Sequence, residues 1–180
     1  MKCLKCSNTA KIPYPNGNLC EKCFIDVLTA RIKRETKLHS PFKKDEKVLV
    51  FGRLAEVFLE KAMPNLPLKI TLTNKEYDRI KDLSKYDKIV VPITADDEAE
   101  LFYSEITKRK VNLKENKKIV KLFRTILNDE LIKAAKILKI KINNKNNINK
   151  NKELRKIHKR FPHSIFGLRK SAEEFRKATK

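Results

Sequence analysis

Glycine is scarce in this chain of 180 residues, which contains only Gly17, Gly52 and Gly167. No two of them are neighbours in the sequence. A loop that cradles phosphate needs closely spaced glycines, because Cβ atoms keep the backbone N–H groups away from the anion. The chain therefore lacks a glycine-rich phosphate loop of the usual kinds, which argues against an enzyme that uses ATP.

Long apolar runs are also lacking, although hydrophobic residues make up 41% of the chain. The longest runs are too short to cross a bilayer, so no membrane-spanning segment and no membrane partner are expected. The sequence opens with Met1-Lys2-Cys3 and has no apolar stretch of the kind found in a secretory signal. We therefore expect a cytoplasmic protein.

Cysteine is absent after residue 23, and the four cysteines form two close pairs, Cys3 with Cys6 and Cys20 with Cys23. Each pair can bring two sulfurs onto one ion, and both pairs together complete a tetrahedral thiolate site. The spacing predicts a finger with structural Zn2+, since four protein ligands leave no position for water or substrate. The alternatives are a pair of disulfides, which a reducing cytosol disfavours, and an iron–sulfur cluster.

Positive charge is in large excess, with 43 Lys and Arg against 22 Asp and Glu and a formal net charge of +21. Residues 43–103 are close to neutral, so the excess lies in the two flanks. This distribution predicts nucleic acid as the partner, and a merely solvated basic surface is the alternative. The candidate RNA contacts lie on a predicted basic helix and in the C-terminal segment: Arg31, Lys33, Arg34, Lys37, Arg155, Lys156, Lys159, Arg160, Arg169 and Lys170.

Hydrophobic periodicity predicts strands that alternate with helices, which is typical of a parallel sheet with crossover helices. The predicted strands span 47–51, 68–72, 88–91 and, as a strand or extended segment, 119–123. The predicted helices begin near Phe24, Leu54, Lys75, Thr94, Asn128 and Ser171, and Asn128 is expected to cap its helix.

Four acids open the predicted helix that follows the third strand, within Thr94-Ala95-Asp96-Asp97-Glu98-Ala99-Glu100. Acidic side chains near a helix N-terminus cap the helix and complement its dipole. A catalytic carboxylate pair is the alternative interpretation of Asp96 and Asp97.

The order of these features resembles the tRNA 2-thiolation branch of the PP-loop ATP-pyrophosphatase superfamily. The finger, which ends in Leu19-Cys20-Glu21-Lys22-Cys23-Phe24, and the acidic segment 94–100 carry the resemblance most specifically. It implies a trimmed, Rossmann-like parallel α/β sheet of PP-loop type behind the zinc finger. It also implies 2-thiolation of the wobble uridine of tRNA, with a ubiquitin-like sulfur carrier as a further partner.

Catalytic members of that superfamily carry Ser-Gly-Gly-x-Asp-Ser after the first strand, where this chain reads Phe51-Gly52-Arg53-Leu54-Ala55-Glu56. Only Gly52 remains, and the long side chain of Arg53 is expected to fill the space that phosphate would occupy. Together with Asp96 and Asp97, these two residues are interpreted as a vestigial nucleotide pocket.

The lost loop leads to the expectation of a non-catalytic subunit, a pseudo-enzyme that binds tRNA and orients a catalytic PP-loop thiolase in a heterodimer. Neither ATP nor an iron–sulfur cluster is expected on the chain. The alternatives are an active ATP-dependent tRNA thiolase with an unusual loop, and a free-standing zinc-finger RNA-binding adaptor.

Four segments are predicted along the chain. They are the finger plus basic helix at 1–40, the degenerate PP-loop α/β domain at 43–142, an Asn- and Lys-rich loop at 143–152 and a basic helical segment at 153–180.

Overall fold

The computed structural model describes residues 1–39, 41–74, 82–108, 118–142, 152–161 and 163–178, with side chains except at 152–155. The chain begins with an antiparallel hairpin of β1 (Ile12–Tyr14) and β2 (Gly17–Leu19), followed by α1 (Glu21–His39). Pro15 and Asn16 connect the two strands, and Asn16 has a φ of 69°. A proline followed by a residue with positive φ is typical of a type II turn.

A four-stranded sheet follows in the order β4-β3-β5-β6, built from β3 (Lys47–Phe51), β4 (Lys69–Thr73), β5 (Lys88–Thr94) and β6 (Ile119–Phe123). All neighbouring strands are parallel, as predicted. The chain passes from β3 to β4 on one side and returns to β5 on the other, so the strand order reverses between β3 and β5. Parallel α/β sheets bind ligands at the carboxyl ends of the strands at such a reversal.

The helices are α2 (Arg53–Ala62), α3 (Ala95–Thr107), α4 (Asn128–Ile137), α5 (Lys152–Arg160) and α6 (Ser164–Ala178). Most lie close to their predicted positions, but α6 begins at Ser164 and not near Ser171. Gly167 disfavours a helix there by propensity. Packing overrides it, because Ile165 is buried against Ala95 and Ala99 of α3. The predicted helix at 75–84 falls largely outside the described residues, as does the predicted loop at 143–152.

The apolar face of α1 belongs to the main core. Phe24, Leu28 and Ile32 are at most 1% exposed and share one cluster with residues of α2, β3 and β6. Successive side chains of β3 point to opposite faces of the sheet. Val48 and Val50 belong to this cluster, whereas their neighbours Leu49 and Phe51 pack on the other face. The helix that follows the four cysteines therefore packs onto the sheet.

Within the described residues, no helix is long and apolar enough to cross a membrane.

Replacing Leu28 with alanine should destabilise the whole molecule by about 2–5 kcal/mol, because the cavity would open inside the shared core. Leu38→Ala on the same helix is the matched control, since Leu38 is 69% exposed. Urea unfolding of the metal-loaded protein measures both. Equal unfolding midpoints for the two variants would contradict the role of α1 in the core.

Candidate functional site

The four cysteines come together at the N-terminal end of the molecule. All four Sγ atoms lie within 4.8 Å of one another, and Cys6 Sγ lies 3.6 Å from the Sγ atoms of Cys20 and Cys23. All four are free thiols, so the disulfide alternative does not apply. A tetrahedral ion with metal–sulfur bonds of about 2.3 Å separates its sulfurs by about 3.8 Å. The group therefore has the ligands and the close spacing of a metal centre.

Local backbone structure holds these sulfurs in place. Cys20 follows β2, and Cys23 lies in the first turn of α1, so one hairpin and one helix position the second pair. The first pair is joined to them through Cys3 Sγ, which accepts the backbone N–H groups of Lys5 and Cys20 at 3.4 Å each. Cys20 Sγ accepts the N–H of Cys23 at 3.5 Å. Such N–H donors favour the thiolate form, which is the form that binds metal.

The thiols differ in acidity. Burial raises the pKa of Cys3, but the backbone N–H donors of Cys20 and Lys5 outweigh it and lower that pKa to about 6. Hydrogen bonding with the sulfurs of Cys20 and Cys6 raises the pKa of Cys23 to about 12. At neutral pH the metal-free group therefore contains both a thiolate and a protonated thiol. A metal ion must displace the proton of each thiol that is still protonated.

The carboxyl edge of the sheet brings the predicted nucleotide residues to neighbouring strands, with Gly52 after β3 and Asp96 after β5. Gly52 has φ 86° and ψ 143°, and a Cβ atom there would meet no described atom within 4 Å. Among the described residues, no side chain caps the start of α2. The guanidinium of Arg53 pairs with Glu56 one turn along the helix. Obstruction of a phosphate site by Arg53 stays a prediction.

The two aspartates of the acidic segment cap helices. Asp97 forms a capping box with Thr94, whose backbone N–H it accepts at 2.8 Å. Asp96, which is 5% exposed, accepts the backbone N–H of Asn128 at 2.7 Å and so caps α4. Burial raises the pKa of Asp97. The predicted side-chain cap by Asn128 is wrong: Asn128 is the first residue of α4 and supplies a backbone donor to Asp96.

Glu98 has a role that the sequence did not reveal. Its carboxylate is 2% exposed and lies 2.6 Å from Lys121 Nζ and 3.1 Å from Arg124 Nε. Arg124 also lies 3.5 Å from Glu35 of α1 and 3.6 Å from Glu173 of α6. This charge network joins α1, α3, α6 and the end of β6. Local spacing carried no signal for it, because its partners are distant in the sequence.

The predicted RNA contacts fall into three groups. Two are committed to internal ion pairs: Arg31 Nη1 lies 2.6 Å from Glu130, and Arg169 Nη1 lies 3.6 Å from Glu173. The exposed ones are Lys33, Arg34, Lys37, Lys156, Lys159, Arg160 and Lys170. The side chain of Arg155 lies outside the described residues. RNA contact by any of them stays a prediction.

No protein-family model matches the chain, and no match is found among curated protein sequences. Its fold matches a solved structure described as the U34-tRNA thiolase NcsA from Methanococcus maripaludis with its [4Fe-4S] cluster. The match covers 98% of this chain and 87% of that chain, with a TM-score of 0.72 and 18% sequence identity. The chain therefore shares the α/β fold of that structure, and it has a four-cysteine group at its N-terminus. The predicted fold class is confirmed.

Two predictions are wrong in the light of this match. The pseudo-enzyme prediction is contradicted because the solved neighbour with this fold is a thiolase. The exclusion of an iron–sulfur cluster is contradicted because that thiolase carries one, and this chain gathers four free cysteines. Cysteine spacing could not separate the two kinds of centre, because four thiolates bind zinc and [4Fe–4S] clusters alike.

Metal uptake by the metal-free protein should strengthen as the pH rises, because the metal must displace the proton of Cys23, whose pKa is raised. Each displaced proton makes binding about tenfold tighter per pH unit. Competitive chelator titrations with zinc, and with ferrous iron in the absence of oxygen, measure this slope. Cys20→Ser should lower the metal content, whereas the exposed neighbour variant Ser7→Ala should not. Affinity independent of pH would contradict a thiolate site.

Proposed function

We propose that this protein is a tRNA thiolase that replaces the C2 oxygen of the wobble uridine with sulfur. The observation that carries this proposal is the agreement of its fold, over nearly the whole chain, with a structure described as a U34-tRNA thiolase. The net charge of +21 supports a polyanionic substrate. The proposal adopts the interpretation of an active enzyme with an unusual loop.

The exposed cations supply the general affinity for tRNA. Lys33, Arg34 and Lys37 project from α1 into solvent, and Lys156 and Lys159 do so from α5. Contacts of this kind neutralise phosphates and orient the RNA without reading its sequence. Uridine selection then falls to the pocket at which the chemistry occurs.

We propose that the carboxyl edge between β3 and β5 binds the phosphates of ATP. Three features support this placement: the reversal of strand order, the open space beside Gly52 and the start of α2 without a side-chain cap. Helix N-termini bind anions through their backbone N–H groups and the helix dipole. Arg53, the first residue of α2, is paired with Glu56, so the backbone N–H groups of the helix start carry the proposed site. At the place where catalytic relatives have a loop with two glycines, this chain has a helix N-terminus whose first residue is an arginine.

The four-cysteine group is proposed as the metal centre of the enzyme. Four thiolates can hold an iron–sulfur cluster or a single tetrahedral ion. The Sγ separations of 3.6 Å match thiolates on a single ion, and a four-iron cluster would need the sulfurs to move apart, because each cysteine then binds a different iron atom. Iron, sulfide and zinc analysis of protein purified without oxygen identifies the occupant. A catalytic partner subunit, a ubiquitin-like sulfur carrier and a cytoplasmic location stay predictions, and affinity purification from the native cells tests the partners.

Deletion of the gene for this protein should abolish 2-thiouridine at the wobble position of the tRNAs it modifies, because the proposed enzyme makes that base. Mass spectrometry of nucleosides from purified tRNA measures the loss. Complementation with the intact chain should restore the modified base, and complementation with Cys20→Ser tests the metal centre in the same assay. Normal 2-thiouridine in the deletion strain would refute the proposed function.

Gly52→Ala should weaken ATP binding, because the backbone at Gly52 lies in a region that side chains rarely adopt. An added Cβ strains that conformation by about 1–3 kcal/mol and shifts the start of α2. Equilibrium dialysis with labelled ATP measures binding, and thermal unfolding checks the fold. Gly167→Ala in α6 is the matched control, because open space surrounds that position as well and its φ is not in the positive region. Unchanged binding in Gly52→Ala would place the nucleotide elsewhere.

A further inference from the structure

A groove of about 450 Å³ lies between the N-terminal hairpin and α1. The residues that line it come from the cysteine-rich segment, from the end of β1 and from one face of α1: Lys5, Tyr14, Val27, Ala30, Arg31 and Arg34. These described lining residues include three cations, one aromatic ring and no acid. The groove thus combines positive potential with an aromatic surface and two small apolar side chains.

The three cations are not equivalent. The guanidinium of Arg31 is already bonded to Glu130 and to the carbonyl oxygen of Thr125, so its charge is largely compensated. Arg31 therefore forms a fixed side of the groove and is not counted as a cation that a ligand can reach. Lys5 and Arg34 are exposed, and they supply the positive charges that a ligand can reach.

The metal centre and α1 hold the two sides of this groove together. Lys5 lies between the ligand candidates Cys3 and Cys6, and its backbone N–H donates to Cys3 Sγ. Tyr14 is the last residue of β1 and is partly buried against the core cluster, which limits the motion of its ring. Arg34 stands on α1, whose opposite face is buried. The aromatic ring and the backbone positions of the two cationic residues are therefore held in place, and their exposed side chains can reach a ligand.

We propose that this groove binds an unstacked nucleotide of single-stranded RNA, with the base stacked on Tyr14 and the adjacent phosphates paired with Lys5 and Arg34. Aromatic rings beside cations are the surface that proteins use for single strands, because every base has a face to stack. In a duplex the bases remain stacked on one another and cannot offer that face. An acidic peptide would satisfy the cations but would leave the tyrosine ring without a partner.

This inference rests on the proposed function only for the source of the strand, which would be an unpaired segment of the substrate tRNA. The stacking site itself follows from the groove and is tested without any thiolation assay.

The chain contains no tryptophan, so Tyr14→Trp creates a single fluorescent reporter inside the groove. Titration of the full-length, metal-loaded variant with a short single-stranded RNA should quench this fluorescence saturably. At equal concentration, duplex RNA and polyglutamate should quench this fluorescence at least tenfold less than the single strand does. A factor of about ten corresponds to the free energy of stacking one base on an aromatic ring. Adding Arg34→Ala or Lys5→Ala to this variant should weaken RNA binding. The slope of log affinity against log salt concentration should fall by about one, as expected for the loss of one phosphate contact.

Lys22→Ala is the matched control, since this exposed lysine lies on the same helix, does not line the groove and is not among the cations proposed to contact tRNA. It should change the affinity for the short RNA less than Arg34→Ala does. A second set of variants avoids the reporter: in filter binding, Tyr14→Phe should keep the affinity and Tyr14→Leu should lose about tenfold. This set decides the question if Tyr14→Trp fails to fold.

Equal quenching by duplex RNA or polyglutamate would overturn the inference, as would equal affinity of the Tyr14→Phe and Tyr14→Leu variants. The outcomes also separate the two proposals. If deletion abolishes 2-thiouridine but the groove variants bind RNA as tightly as the parent protein, the thiolase proposal stands and the proposed nucleotide site is rejected. Selective RNA binding by the groove, combined with normal 2-thiouridine, would do the reverse.

Discussion

The packing of α1 against the sheet is the contact on which the rest of the molecule depends. The helix carries Cys23 in its first turn and, one residue later, the fully buried Phe24. Further along, Leu28 and Ile32 extend the same face into the core beside β3 and α2. The cysteine group and the sheet are therefore joined through one rigid element. A metal bound by the four cysteines would be joined through Cys23 to the first turn of the helix that completes the core.

Among the described residues three acidic side chains are buried, Asp96, Glu98 and Glu105, and Glu98 belongs to a charge network that joins several helices. Glu98 is surrounded by Lys121 and Arg124, and Arg124 also contacts Glu35 and Glu173. Burying a lone carboxylate is costly, so Glu98 needs both of these cations. The network joins α1, α3 and α6 to the end of β6. Because these acids face inward, the lysines of α1 and α5 remain available to a polyanion.

The two candidate sites differ in what their geometry can do. The cysteine group offers four ligands at metal-binding distance, and the groove beside it offers cations with a tyrosine. The carboxyl edge of the sheet offers an anion site at the start of α2, where Gly52 leaves open space. The proposed thiolase would have to hold tRNA, activate a uridine and keep a metal centre in one molecule, and these three surfaces are the ones proposed for those tasks.

Local chemistry is what the sequence determined by itself. Short apolar runs indicated the strands, the spacing of Phe24, Leu28 and Ile32 indicated α1, and two cysteine pairs indicated a metal centre. These signals act within a few residues, through side-chain periodicity and chelate geometry. The identity of the metal centre was beyond them, because several centres share four thiolates. The pairing of Arg53 with Glu56 was not predicted either.

Only the tertiary structure decided which distant residues meet. Asp96 caps the helix that begins at Asn128, and Arg31 pairs with Glu130, although sequence separations of 32 and 99 residues divide these partners. Such pairs arise because parallel strands bring the carboxyl ends of β5 and β6 to one edge, while α1 packs across the sheet. Strand order and helix packing depend on the free energy of the whole core, which no local pattern encodes.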